Sequence, residues 1–486
     1  MAEATARLIA APIEFIYNHE MSFAMRMHHR WRGWPPGLRG VLLLLPFIAG
    51  IAAAQPAGSP YRIMKLDNGL DVIVIENHTV PLVTIDVTVR NGSFTEPDEF
   101  AGLSHLYEHM FFKANAAIPS QERFMQRVRE LGIVFNGYTS DEVVTYFFTL
   151  PATNLDPGMK FMADAIKTPL FDQAELTRER QVVLGEFDRS EAQPTFVLNR
   201  AIDSALWSPY VSRKQPLGQR EVIETATVEK MKMIQDLFYK PNNAALIVSG
   251  DVETDEIFQL AKKYFDDWER GADPFPSKLP PAFPPQKEAL IVRPARIPDV
   301  DVRMIFRGPS IGRDEPAPYA AHLLTTMLNL PTSRFHRVMI DSGVALDALI
   351  DVDNALNVGT VNFYFDVKQE NVHRLIDLLK KEIAAMARPG YFSDEEIETA
   401  RKLVASRQIF DQESAFAFAI RTTARWWSMA SLDYYLAFPE NVAHVTAEDI
   451  AKFVSMYLHE QPAVLGVGAE QTTLNQLNLT GEALQW

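Results

Sequence analysis

The chain has no cysteine among its 486 residues. No disulfide can form, and a transition-metal site must be built from histidine and carboxylates. Positive charge is also in short supply. Lys and Arg number 47 against 62 Asp and Glu, a net charge of −15. Such a chain repels phosphate backbones, which argues against a nucleic-acid partner. The apolar run Gly40–Ala54, "GVLLLLPFIAGIAAA", is too short to span a bilayer comfortably, and Pro46 interrupts it. It follows a basic stretch holding Arg26, Arg30, Arg32 and Arg39 and ends in three alanines. This is the pattern of a secretory signal over residues 1–54, with export to a periplasm-like compartment as its consequence. An uncleaved anchor facing the periplasm is the alternative.

What is present is ordinary globular composition, 47% hydrophobic and 22% charged. The segment 271–287 is proline-rich and reads as a semi-rigid linker. It separates residues 55–270 from 288–486, and the two parts echo each other. "VPLVTIDVTVR" (Val80–Arg90) faces "IPDVDVRMIFR" (Ile297–Arg307), and the same offset carries His105 onto His322. "FDQAELTRERQVV" (Phe171–Val183) faces "FSDEEIETARKLV" (Phe392–Val404), each beginning with a helix-capping pattern. A weaker echo pairs "FYKPNNAALIVSGDV" with "MYLHEQPAVLGVGAE". Three echoes in one order indicate a tandem duplication. Strand-like runs such as "DVIVIEN" and "VVTYFFTL" alternate with helical patterns at Ser120–Leu131, Asp172–Glu191 and Val228–Leu237. The expected class is α+β, two tandem homologous domains, each a sheet covered by helices.

The stretch "GLSHLYEHMFFKA" (Gly102–Ala114) carries the chemistry. His105 and His109 stand at i and i+4, one helical turn apart on one face. Two imidazoles so placed can bind one Zn²⁺, and Glu108 beside them can take a proton from a water activated by the metal. The pattern is H-x-x-E-H, the inversion of H-E-x-x-H. Leu103, Leu106 and Met110 would back the helix against the sheet. A third protein ligand is required. Glu179 and Glu186, two turns apart on one helix, are candidates, and a solvated acidic face is the competing reading of both. The duplication bears on this. At the positions of Glu108, His109, Glu179 and Glu186 the second copy has Thr325, Thr326, Ala400 and Arg407. The ligand-type residues are lost together while the capping and apolar positions remain, as expected if the first copy alone binds metal.

These motifs resemble the pitrilysin, insulysin and mitochondrial-processing-peptidase family of inverted-motif zinc metallopeptidases, over most of residues 60–470. The family places 76 residues between the motif and its third ligand. Here His109 and Glu186 are 77 apart (186 − 109), so 76 intervene. The resemblance implies a single zinc per chain held by His105, His109 and Glu186, with Glu108 as general base. It implies that Glu179 supports the site without binding zinc. "ERQVVLGE" and "HMFFKA" match further family patterns. "FNGYTSDEVVTYFFTLP" is similar to the N-A-x-T strand that lines the cleft, which implies that Asn136 holds substrate backbone as an extended peptide pairs with the strand.

One departure stands out. Self-sufficient relatives carry an Arg and a Tyr seven residues apart that bind substrate backbone. In Ser333–Asp351, Asp341 follows Arg334 at that spacing and Val344 follows Arg337. No tyrosine occurs in that segment. The chain therefore resembles the zinc-bearing member of a two-chain enzyme, half of a clamshell that a homologous, zinc-less chain with the Arg/Tyr pair would close. The function implied is hydrolysis of short or unfolded peptides inside an enclosed chamber. Competing readings are an inactive structural subunit, a peptide-binding module without turnover, and a homodimer in which Arg337 or another basic residue substitutes.

Overall fold

A computed structural model describes residues 59–275 and 283–486. The signal-like stretch 1–54 and the centre of the proline-rich segment lie outside the described residues. Among the described residues no helix is long and apolar enough to cross a membrane.

Among the described residues eleven strands form two sheets. The first holds β1 (Arg62–Lys65), β2 (Asp71–Glu76), β3 (Leu82–Val89), β4 (Val134–Thr139), β5 (Val144–Pro151) and β6 (Ala244–Gly250). The second holds β7 (Ala289–Pro294), β8 (Val300–Arg307), β9 (Asp347–Asp353), β10 (Thr360–Val367) and β11 (Val464–Ala469). Their orders are β1-β2-β6-β3-β5-β4 and β7-β11-β8-β10-β9. Without the β1 hairpin the two orders superpose strand for strand. In each sheet the one parallel pair joins the first long strand to the last, β2 with β6 and β7 with β11. The duplication legible in the sequence is thus a duplication of topology. Val83, Ile85, Val87 and Val89 lie in one core and Val300, Val302, Met304 and Phe306 in the other, at the offset of 217 that relates His105 to His322 (322 − 105).

Both faces of each sheet are covered, so the central strands are near-continuous apolar runs. One face packs on the helices of its own half. The other is covered by the opposite half. Phe418, Ala419, Ile420 and Trp427 from the second half lie in one cluster with Ile73, Ile75, Phe147 and Ile247. Reciprocally, Leu198, Ile202 and Leu206 from the first half pack with Ile305 and Val464 of the second sheet. Glycine permits this approach at Gly466, where any side chain would collide with Ile202. Polar clamps reinforce the exchange. The Trp427 indole N–H donates to Asp71 at 3.0 Å. Glu142 accepts from the backbone N–H groups of Leu356 and Asn357, both at 3.2 Å.

Five helices matter below: α1 (Leu103–Phe111), α2 (Gln173–Glu191), α3 (Phe196–Trp207), α4 (Ala317–Leu328) and α5 (Asp394–Phe410). The Leu198–Leu206 face that covers the second sheet belongs to α3.

Candidate metal centre

Helix α1 is short, and its own sequence does not cap it. Gly102 opens it at φ 94°, a left-handed conformation with no side chain to accept the free N–H groups. A Cβ there would also collide with Leu217 O. The missing acceptor comes from Glu96, whose carboxylate receives the N–H groups of Gly102 and Ser104. Asn91 accepts from the Ser104 hydroxyl at 3.0 Å. Leu103, Leu106, Met110 and Phe111 are fully buried and seat the helix on the first sheet. Replacing Leu106 with alanine would cost about 2–5 kcal/mol.

Helix α2 starts at Asp172, whose side chain accepts from Ala174 and Glu175 at 2.9 and 3.0 Å. Leu176, Val183 and Phe187 are its buried apolar positions, and they bring Glu179 and Glu186 over α1. His105 Nε2 lies 3.4 Å and His109 Nε2 3.8 Å from Glu186 Oε2. The two imidazoles meet edge to face with centroids 4.9 Å apart. One donor atom from each of His105, His109 and Glu186 lies within 4.8 Å of the others, a grouping that could hold a metal ion. Arg189 reaches the other oxygen of Glu186 at 3.3 Å.

Around these three lies a second layer. His109 Nδ1 is 3.2 Å from Glu179 Oε2, and Lys113 Nζ is 2.7 Å from Glu179 Oε1. Glu179 is buried with two partners, which removes the solvated-face reading for it. Glu108 accepts from the Thr139 hydroxyl at 2.7 Å. Its stem runs under β4, where a methyl at Gly137 would stand 3.0 Å from Glu108 Cγ.

Burial sets the electrostatics. It pushes His105 down to about 3, helped by the neighbouring His109, so its imidazole is neutral. His105 Nδ1 is buried with no hydrogen-bond partner. Burial also opposes charge on His109, but the Glu179 hydrogen bond and the charges of Glu108 and Glu186 outweigh it and raise its pKa. Glu108 is raised, burial prevailing over His109 and the Thr139 hydrogen bond. Glu179 is lowered, its bonds to His109 and Lys113 prevailing over burial.

Asn136 sits on β4, the edge of the sheet, and is exposed. Side chains alternate along a strand, so it leaves β4 on the face opposite Gly137 and Thr139. Its Oδ1 accepts from the N–H of Gly137. Arg334 of the second half is committed elsewhere, paired with Glu382 at 3.2 Å and stacked on Tyr391.

The second copy of the site is filled by packing. His322 on α4 is half-buried, meets Phe438 with centroids 5.2 Å apart, and is pushed down to about 4 by burial and by Arg407. Thr326 donates to the His322 carbonyl, and Ala400 on α5, at the Glu179 position, is fully buried.

Sequence reasoning assigned no role to Lys113, Thr139 or Glu96. Lys113 had a local signal, standing four residues after His109 just past the end of α1. Thr139 and Glu96 had none, because each reaches α1 from outside it.

Residues 71–217 match the insulinase family model (peptidase family M16), and residues 225–404 match the peptidase M16 inactive domain. The zinc protease PqqE of Helicobacter pylori is 31% identical over 235 residues, covering 47% of this chain and 52% of that protein. An uncharacterized zinc protease of Rickettsia felis is 29% identical over 211 residues, covering 43% of this chain and 51% of the relative. The chain thus spans about half the length of these curated relatives. Among solved structures, a protease from Helicobacter pylori aligns with TM-score 0.73 and 20% identity, over 84% of this chain and 99% of that one. The periplasmic protease PqqL from Escherichia coli aligns with TM-score 0.74 and 19% identity, over 89% of this chain and 50% of that one. At such identities the structural likeness speaks for the fold, while the two consecutive family matches speak for descent: the chain belongs to the insulinase, or pitrilysin, family of M16 peptidases.

Proposed function

We propose that the chain is a zinc-dependent endopeptidase acting on short or unfolded peptides, and that it is the metal-bearing subunit of a heterodimer. The observation that carries this reading is the convergence of His105, His109 and Glu186 beside the buried Glu108. The donor set suits zinc. Ligand atoms about 2.0–2.2 Å from a tetrahedral Zn²⁺ stand about 3.3–3.6 Å apart, close to the 3.4 and 3.8 Å separations from Glu186 Oε2. The carboxylate of Glu179 behind His109 Nδ1 is the outer-shell partner that metal-binding histidines require.

Zinc, when bound, supplies Lewis acidity that polarises a peptide carbonyl and acidifies a water. The remaining work falls to the chain. Glu108, made more basic by burial, takes a proton from the attacking water and returns it to the amine nitrogen as the C–N bond breaks. The Thr139 hydroxyl holds one Glu108 oxygen, which orients the other. The free edge of β4 takes up the peptide as an added strand, with Asn136 holding its backbone.

In this reading residues 55–270 are the metal-bearing domain, 271–287 the linker and 288–486 a metal-free companion. Residues 1–54 direct export to the periplasm, the compartment given for the Escherichia coli PqqL structure. The test is metal analysis of the purified chain, followed by digestion of an unstructured peptide with and without a homologous zinc-less chain. Stoichiometric zinc and chelator-sensitive cleavage are expected. Cleavage that survives in a Glu108→Gln variant would discard the mechanism.

A further inference from the structure

A cavity of about 560 Å³ lies at the seam of the two halves, lined by Arg90, Phe94 and Glu142 from the first and by Ile311, Arg313 and Met429 from the second, among others. Its size is that of a small-ligand pocket. Neither the proposed metal chemistry nor the β4 edge uses it.

Two of its walls are arginines without a carboxylate partner among the described residues. Arg90 lies flat on the Trp427 ring, 3.8 Å from its centroid, and gives one N–H to the Trp427 carbonyl at 3.0 Å. Burial lowers its pKa, and the charge of Asp71 opposes that shift from beyond ion-pair distance. Arg313 is exposed and forms no side-chain hydrogen bond or ion pair among the described residues. The acids around them have partners of their own. Glu142 accepts from Leu356, Asn357 and the Asn357 amide. Asp71 pairs with Lys65 at 2.7 Å and accepts from the Trp427 indole, and Glu315 accepts from Tyr434 at 2.7 Å. Asp314 accepts from the Ser310 N–H.

A cation largely enclosed and left without a carboxylate, as Arg90 is, is costly, and an anion brought to it recovers that cost, with the exposed Arg313 as its second partner. Phe94, Ile311, Leu356 and Met429 line an apolar bed beside them, and Thr95, Ser428 and Ser431 add neutral hydroxyls but no further cation. The proximity of Glu142 disfavours a dianion. We propose that this seam cavity binds a monocarboxylate with a large apolar or aromatic body, its carboxylate between Arg90 and Arg313. A ligand so placed touches both halves at once and clamps them together. The proposal is independent of the metal site.

The chemistry is met by a free aromatic acid or by the C-terminal residue of a peptide. The test is calorimetry on the full chain with N-acetylphenylalanine, its amide, a pentapeptide ending in phenylalanine with a free carboxylate, and inorganic phosphate. One or both carboxylates should bind at least tenfold more tightly than the amide, and which one binds tells the source. Arg313→Gln, at an exposed position, should fold normally and lose most of that preference, and Arg90→Lys should weaken binding further. Equal binding of acid and amide, no binding of either carboxylate, phosphate binding as tightly as the acid, or an unchanged preference in Arg313→Gln would each overturn the proposal. The Glu108→Gln variant keeps the two readings apart, since it should lose cleavage and bind the carboxylate as wild type does.

Discussion

His109 Nδ1 lies 3.2 Å from Glu179 Oε2, and this contact decides which imidazole nitrogen is left to face Glu186. With Nδ1 held as the donor, Nε2 carries the lone pair. Lys113 holds the other oxygen of Glu179 and keeps the carboxylate ionised. In the proposed zinc site the pair would orient His109 as a ligand.

Glu179→Gln should therefore keep the fold and lower zinc affinity about 10- to 100-fold, the usual effect of removing an outer-shell partner. Competition with a graded series of chelators measures it. Wild-type affinity in the variant would mean that Glu179 serves the fold alone.

Metal binding and proton transfer should separate by residue. His109→Ala is expected to lose zinc. Glu108→Gln is expected to keep zinc and lose turnover by about 10²-fold or more. Metal content and peptide cleavage, measured on the same preparations, check both. Zinc retained in His109→Ala would remove that residue from the ligand set.

The family signature was legible because its parts are local or lie on one helix. H-x-x-E-H occupies five consecutive positions of α1, and Glu179 and Glu186 share α2. The helix starts were legible too, since Asp172 caps α2 and the Ser393–Glu396 capping box opens α5. The duplication survived in apolar positions that now face two separate cores. What the sequence hid depends on distant partners. Glu96 capping α1 and Trp427 bonding Asp71 across 356 residues have no local pattern. The reciprocal covering of the sheets is equally silent, because an apolar run reads alike whichever helix covers it. The π-helical turns Arg337–Asp341 and Phe418–Thr423 leave the ordinary helical period, so periodicity does not announce them.

Glu96 carries a pH signature. Burial pushes its carboxyl up to about 7, against the N–H donors at the start of α1 that favour the anion. The folded state thus holds this proton more tightly than the unfolded chain, whose glutamate titrates near 4.3. Its contribution to stability is fully present below that pH and is lost as pH rises towards 7. In Glu96→Gln the fall in stability across this window should be shallower by up to about one proton, or at most about 1.4 kcal/mol per pH unit. Denaturant midpoints at a series of pH values provide the check. An unchanged slope would mean that Glu96 is ionised throughout.

The last prediction concerns the missing Arg/Tyr pair. In Ser333–Asp351 no tyrosine follows an arginine at the required spacing, and Arg334 is bound to Glu382 and Tyr391. Ser333–Asp351 thus supplies no Arg/Tyr pair to align the scissile backbone at the proposed metal centre. Peptide hydrolysis depends on that alignment, and loose positioning costs orders of magnitude in rate. In the proposed heterodimer, a homologous chain carrying the pair would supply it. The zinc-loaded chain alone should cleave an unstructured peptide weakly, and a zinc-less homologous partner should raise kcat/KM by about 10²-fold or more. The partner's Arg and Tyr, replaced together, should remove the gain without changing zinc content here. Full turnover by the isolated chain, unaltered by the partner, would point to a homodimer and leave the ligand assignment of His105, His109 and Glu186 standing.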